Sequence, residues 1–63
     1  MIEINATYIT RNNKMVYVME QTVPNEKYPL IGIDEKKRVH KYTRDGFYVG
    51  RAFPNEMDLI RKA

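Results

Sequence analysis

The sequence predicts an all-β domain, a small and strongly bent barrel of five short strands with one helical turn near its end. Three observations carry that prediction. Apolar or β-branched residues alternate with polar ones over short runs, which is the spacing of half-buried strands. Turn chemistry recurs about every eight to ten residues, at Asn12-Asn13, Pro24-Asn25, Asp34 to Lys37 and Asp45-Gly46. The most apolar run, Tyr28-Pro29-Leu30-Ile31-Gly32-Ile33-Asp34, carries a glycine at its middle, where a bend helps a sheet to curl.

Sixty-three residues make one domain, 1–63, near the lower limit for independent folding. Conformational entropy almost cancels hydrophobic burial at this size, so such chains commonly need a staple, a metal or a partner. The chain has no cysteine, which excludes disulfides and thiolate-bound zinc, and its single His40 cannot build a histidine-rich metal site. No cofactor is expected, and self-association is the expected supplement. Met1-Ile2-Glu3-Ile4-Asn5 is short, alternating and acidic, unlike a secretory signal. No apolar run approaches the roughly 20 residues of a membrane span. The expected location is therefore the cytoplasm, without membrane contact. Asn5-Ala6-Thr7 matches a glycosylation acceptor and is read as a chance match.

The elements follow in order. Ile4 to Thr10 reads as the first strand, with Ala6, Tyr8 and Thr10 on one face and Thr7 and Ile9 on the other. Asn12-Asn13 suits a two-residue hairpin turn, which requires positive φ twice. In the second strand, Met15 to Glu20, both faces are apolar: Met15, Tyr17 and Met19 against Val16 and Val18. That pattern predicts cover on both sides or a place at the barrel closure. Gln21 to Lys27 reads as a surface loop with Asn25 and Glu26 at its tip. Pro29 opens the central strand, in which Ile31 and Ile33 are expected to face the core and Leu30, Gly32 and Asp34 the opposite side.

From Asp34 to Thr43 the chain could form a short helix capped by Asp34 or a turn followed by a strand. Val39, Tyr42 and Thr43 favour the strand. Asp45-Gly46 is the strongest turn signal, and Phe47-Tyr48-Val49 reads as a fifth short strand closed by Gly50. Ala52-Phe53-Pro54 leads into Asn55 to Asp58, read as a 3₁₀-like turn; Leu59-Ile60 either extends it into a helix or forms a last strand beside the first, the second being preferred.

Thr10 to Lys14, Tyr28 to Gly32, Tyr42-Thr43-Arg44-Asp45-Gly46-Phe47-Tyr48 and Met57-Asp58-Leu59-Ile60 form a pattern spanning most of the chain. It resembles small uncharacterised proteins encoded by bacteriophages and prophages. The resemblance implies a Src-homology-3-like barrel and a phage-associated origin, and it carries no catalytic residues. Lys36-Lys37-Arg38 stands where those proteins more often have a polar or acidic turn.

No enzymatic role is expected. The chain has no serine or cysteine nucleophile, which leaves Thr or Tyr beside His40 and Asp34 or Asp45, and its three glycines are too widely separated for a phosphate loop. The formal net charge of +3 permits attraction to nucleic acid or to an acidic partner without requiring either. One basic concentration stands out. Lys36, Lys37, Arg38, His40, Lys41, Tyr42 and Arg44 are the candidate binding surface, holding five of the eleven Lys and Arg residues. On a strand, Arg38, His40 and Tyr42 would share a side, where cations contact phosphates and the ring stacks on a base. The alternative reading is a solvated hairpin whose charges block edge-to-edge pairing. Seven aromatic rings exceed what so small a core can bury, and exposed tyrosines suit protein contacts. The expected function is a protein-interaction module, a phage or prophage accessory protein that binds a host or phage protein or itself. A nucleic-acid-binding barrel is the alternative. Pro29, Gly32, Asp45 and Gly46 are the expected structural positions.

Overall fold

A computed structural model describes residues 2–21, 27–50 and 54–63 of the chain. It is all-β. Five antiparallel strands, β1 (Ala6–Thr10), β2 (Met15–Glu20), β3 (Leu30–Asp34), β4 (Val39–Tyr42) and β5 (Leu59–Lys62), form one sheet in the order β4-β3-β2-β1-β5. The first four make a meander, and β5 returns beside β1. The sheet is open: β4 and β5 are its edges, and no ladder joins them. The expected barrel is thus a curled sheet. The segment after β4 crosses between the two edges. Tyr48 bridges to Tyr42, while the Gly46 carbonyl accepts from Leu59 N–H at 2.9 Å.

That crossing corrects the strand list. Phe47 to Val49 makes a single bridge rather than a strand: Val49 N–H donates to Lys41 O on β4, whereas Tyr48 N–H turns to the Asp58 carboxylate that precedes β5. The fifth strand is the 59–62 segment, paired with β1 as preferred from the sequence. Among the described residues no helix precedes it. Asn55 to Asp58 forms one turn, in which Asp58 N–H donates to Asn55 O at 3.0 Å and Asn55 Oδ1 accepts from Met57 N–H at 2.8 Å. Residues 34–43 form a turn and strand, not a helix. The expected loop tip at Asn25 and Glu26, and Ala52-Phe53, lie outside the described residues.

Three of the hairpin turns share one construction. Thr10, Asp34 and Thr43 each accept, through the backbone carbonyl, from the N–H three residues on, that of Asn13, Lys37 and Gly46. Each also accepts, through a side-chain oxygen, from the N–H four residues on, at 3.0, 2.9 and 3.1 Å. The third loop residue has positive φ in every case: Asn13 (64°), Lys37 (64°) and Gly46 (90°). This is the three-residue hairpin loop with a left-handed closing residue. The expected two-residue turn at Asn12-Asn13 is corrected accordingly, since only Asn13 has positive φ. Thr10 already occupies the position that supplies the side-chain acceptor.

The core lies on the concave side. Tyr8, Val16, Val18, Leu30, Tyr42 and Leu59 form it, with Ile2, Ala6, Tyr48 and Met57 packed around them. Two sequence expectations are overturned here. Leu30, Gly32 and Asp34 face inward, and Ile31 and Ile33 face outward. β2 is covered on one side only, with Met15, Tyr17 and Met19 exposed. The inversion of β3 follows from Tyr42. Its buried ring needs a position without a side chain on the facing strand, and Gly32 provides it. A Cβ on Gly32 would overlap Val16 Cγ1 and lie 2.8 Å from Tyr42 Cε2. Gly32 keeps regular register with both neighbours, so among the roles a strand glycine can take, it serves close approach.

Candidate interaction surface

The convex side of the sheet follows from the register. Thr7, Tyr17, Ile33 and Val39 align in one row across β1 to β4. Met19, Ile31 and Lys41 form the next row, and Arg61, Ile9 and Met15 the third. Of these, Ile9 is buried and Thr7, Ile31 and Ile33 are half-buried. The others are open: Val39 is 60% exposed, Met15 48%, Tyr17 41% and Met19 38%. The result is a continuous apolar block on β2 to β4. No described element packs on it, and scattered single exposed hydrophobics would not form such a block. Charge marks its ends. Lys41 closes the Met19 row on β4, whereas Glu35 Oε1 accepts from Met15 N–H at 3.3 Å at the other end.

The seven candidate residues of the basic stretch do not make one surface. Tyr42 is fully buried, its hydroxyl donating to Met57 O at 2.9 Å, so its ring offers nothing for a base to stack on. Burial raises its pKa above the usual tyrosine range, and nearby Tyr48, Asp58 and Asp34 add to the shift. His40 shares that inner face, with Nε2 2.9 Å from Asp34 Oδ2 and Nδ1 3.2 Å from the Tyr48 hydroxyl. In the neutral ring this fixes the proton on Nε2, facing the carboxylate, with Tyr48 donating to Nδ1. Arg38 donates through Nε to the same Asp34 oxygen at 2.9 Å. Lys41 lies on the convex face, Lys36 and Lys37 lie in the β3–β4 turn, and Arg44 lies in the next turn, beyond the opposite end of β4. Alternation along the strand separates the cations that sequence proximity had grouped.

Asp34 is the centre of the inner polar network. Its two oxygens accept from Lys36 N–H, Arg38 N–H, Arg38 Nε and His40 Nε2, each at 2.9 Å. The bonds from His40 and Arg38 hold its carboxyl well below the usual aspartate range. A second buried aspartate, Asp58, accepts from Tyr48 N–H at 2.7 Å, Asn55 N–H at 3.0 Å and Arg11 Nε at 3.4 Å. Burial pushes its pKa up, and these donors outweigh that and lower it. A cleft of about 330 Å³ opens beside Asp34, with Asn12, Lys14, Lys36, Glu56 and Met57 in its wall. Its lining includes both cations, Lys14, Lys36 and Arg38, and acids, Asp34, Glu35 and Glu56. No described buried side-chain nitrogen or oxygen lacks a hydrogen-bond partner. Among the described residues, no His, Asp and Glu group is placed to hold a metal ion. Asp34 clamps the β3–β4 turn and Asp58 the turn before β5.

Of the expected structural positions, Pro29 precedes β3 and its carbonyl accepts from Gln21 N–H at 3.0 Å, Gly32 underlies Tyr42, and Asp45-Gly46 form the third turn. Two features were missed in the sequence: the convex face, hidden by the inverted reading of β3, and Asp58 as an anchor. For Asp58 the sequence offers only an Asn-x-x-Asp turn pattern. Comparison with protein-family models, with curated protein sequences and with solved structures finds no match.

Proposed function

We propose that this protein is a non-enzymatic protein-interaction module whose contact surface is the convex sheet face centred on Tyr17. One observation carries the reading: Met15, Tyr17, Met19 and Val39 lie exposed and contiguous on a face that polar side chains would otherwise occupy. Methionine and tyrosine suit such a role, the first by adaptable packing and the second by a large ring with a polar tip. The resemblance to bacteriophage and prophage proteins makes a cytoplasmic host or phage protein the expected class of partner. We further read the fold as an opened Src-homology-3-like sheet; the β4-β3-β2-β1-β5 order supports this, with a turn leading into β5. The nucleic-acid alternative is weaker, because Tyr42 is buried and Lys41 and His40 lie on opposite faces.

A photo-crosslinking residue placed at Tyr17, with one at Arg44 as control, tests the proposal in cells producing the protein. Adducts at position 17 and not at 44 are expected. Their absence at position 17 in a folded chain removes the reading.

A further inference from the structure

We infer that the occupant of the convex face is a second copy of this chain, packed sheet on sheet about a two-fold axis that crosses the strands at the Tyr17–Ile33–Val39 row. The inference rests on the interaction reading above and names the partner.

Symmetry and charge select this arrangement. A two-fold running across the strands leaves the middle row facing itself, so Tyr17, Ile33 and Val39 meet their own counterparts. It also exchanges the two ends of the face. Met15 then stands over Met19 of the second copy, and the apolar block is covered along its length. Glu35, held beside Met15, comes next to Lys41 of the second copy, and the symmetry makes that pair twice. Lys37, two residues beyond Glu35 in the same turn, adds a cation to this corner. A two-fold along the strands would instead set each end against its own kind, leaving Glu35 and Lys41 far apart. The charges at the rim thus fit a second copy in one orientation.

Area places the contact in a size class. Five strands at about 4.8 Å spacing and five residues at about 3.4 Å give a whole sheet face of roughly 19 by 17 Å, of which the apolar block on β2 to β4 takes up about half. With side-chain relief, such a face buries roughly 500 Å² per copy, near 1,000 Å² for the pair, which is the lower limit for a specific interface and the range of transient ones. Two such sheets stack about 10 Å apart at a shallow angle, which flexible Met15 and Met19 can fill. The association expected is weak and reversible. It also serves the chain itself, since a 63-residue domain buries little apolar surface alone.

Sedimentation velocity on the purified full chain, from about 10 µM to about 1 mM at low salt, tests the inference. A monomer–dimer equilibrium that responds to concentration across this range is expected. Tyr17→Glu should raise Kd at least tenfold (~1.4 kcal/mol). Glu35→Lys and Lys41→Glu should each raise it severalfold, and the double exchange should bring it back toward wild type. Circular dichroism melts check that each variant is folded. Isotope-filtered NOEs between Met15 and Met19 of different copies test the orientation in the unaltered chain. A monomer at about 1 mM overturns the inference, as does a dimer indifferent to Tyr17→Glu or unrescued by the double exchange. If the chain is monomeric while position 17 still crosslinks to another protein, the second copy is excluded and the interaction reading stands. If position 17 yields no adduct, both are lost.

Discussion

Lys37 occupies a backbone conformation that costs a lysine more than it costs its counterparts in the other turns. In three turns of the same construction, the left-handed position is held by Asn13, Lys37 and Gly46. Asparagine tolerates that region and glycine enters it freely, whereas a longer side chain carries a penalty of about 1–2 kcal/mol. A glycine there would lose about 0.5–1 kcal/mol to added freedom in the unfolded chain. The difference favours glycine, so Lys37→Gly should stabilise the protein by about 0.5–1 kcal/mol. Urea unfolding at the concentration of the monomer measures it, as a rise in midpoint at unchanged slope. A lower midpoint would mean that the lysine side chain contributes more than its backbone strain costs. Asp45-Gly46 was legible as a turn because glycine announces the left-handed site. Lys37 gave no such signal, and the side-chain acceptors Thr10, Asp34 and Thr43 are visible only when the three turns are aligned.

Strand β3 shows what alternation alone can and cannot determine. The pattern Leu30-Ile31-Gly32-Ile33-Asp34 presents two isoleucines to one side and a leucine, a glycine and an acid to the other. Apolar content favours the isoleucines for the core, yet the structure buries the other side. Tyr42 brings a large ring onto that face, Gly32 leaves room for it, and Asp34 is satisfied by four donors, so its burial costs little. Gly32→Val should therefore destabilise the fold by about 3 kcal/mol, at the upper end of the overpacking range. A domain of this length has only a few kcal/mol of stability, so such a loss leaves a largely unfolded population. A cooperative melt near the wild-type temperature would show that Val16 and Tyr42 can move aside. The existence and antiparallel order of β1 to β4 could be read from turns and alternation; the side each strand buries could not.

Two buried carboxylates tie the elements into one molecule. Asp34 holds the β3–β4 turn and, through His40 and Tyr48, the segment that crosses to the far edge. Asp58 joins that segment to the turn before β5 and, through Arg11, to the first hairpin. Both carboxyls titrate below the range they have in the unfolded chain. The unfolded state therefore binds more protons as pH falls. Their contribution is fully present above about pH 5 and is lost as pH drops through the ordinary aspartate range and below it. Urea midpoints measured from pH 7 to pH 2.5 should fall on the acid side, and Asp34→Asn should lower the pH 7 midpoint and flatten the acid limb. A variant with the wild-type pH profile would assign the acid sensitivity elsewhere. The exposed Lys62 and Glu3 pair also joins distant parts of the chain, but it is open to solvent and salt.

What the sequence by itself determined is local. Turn residues and two-residue alternation announce short antiparallel strands, the chain length confines them to one small sheet, and the lack of cysteine removes a covalent staple. Each of these follows from backbone sterics or covalent chemistry within a few residues. Tertiary structure alone decided which face became the core, that the sheet stays open, and that the basic stretch divides between a buried network and a convex apolar surface. These outcomes depend on contacts between residues far apart in the chain, Tyr42 against Gly32, Tyr48 against Asp58, Gly46 against Leu59. Period-two alternation is symmetric between the two faces of a strand, so only a packed partner breaks the tie.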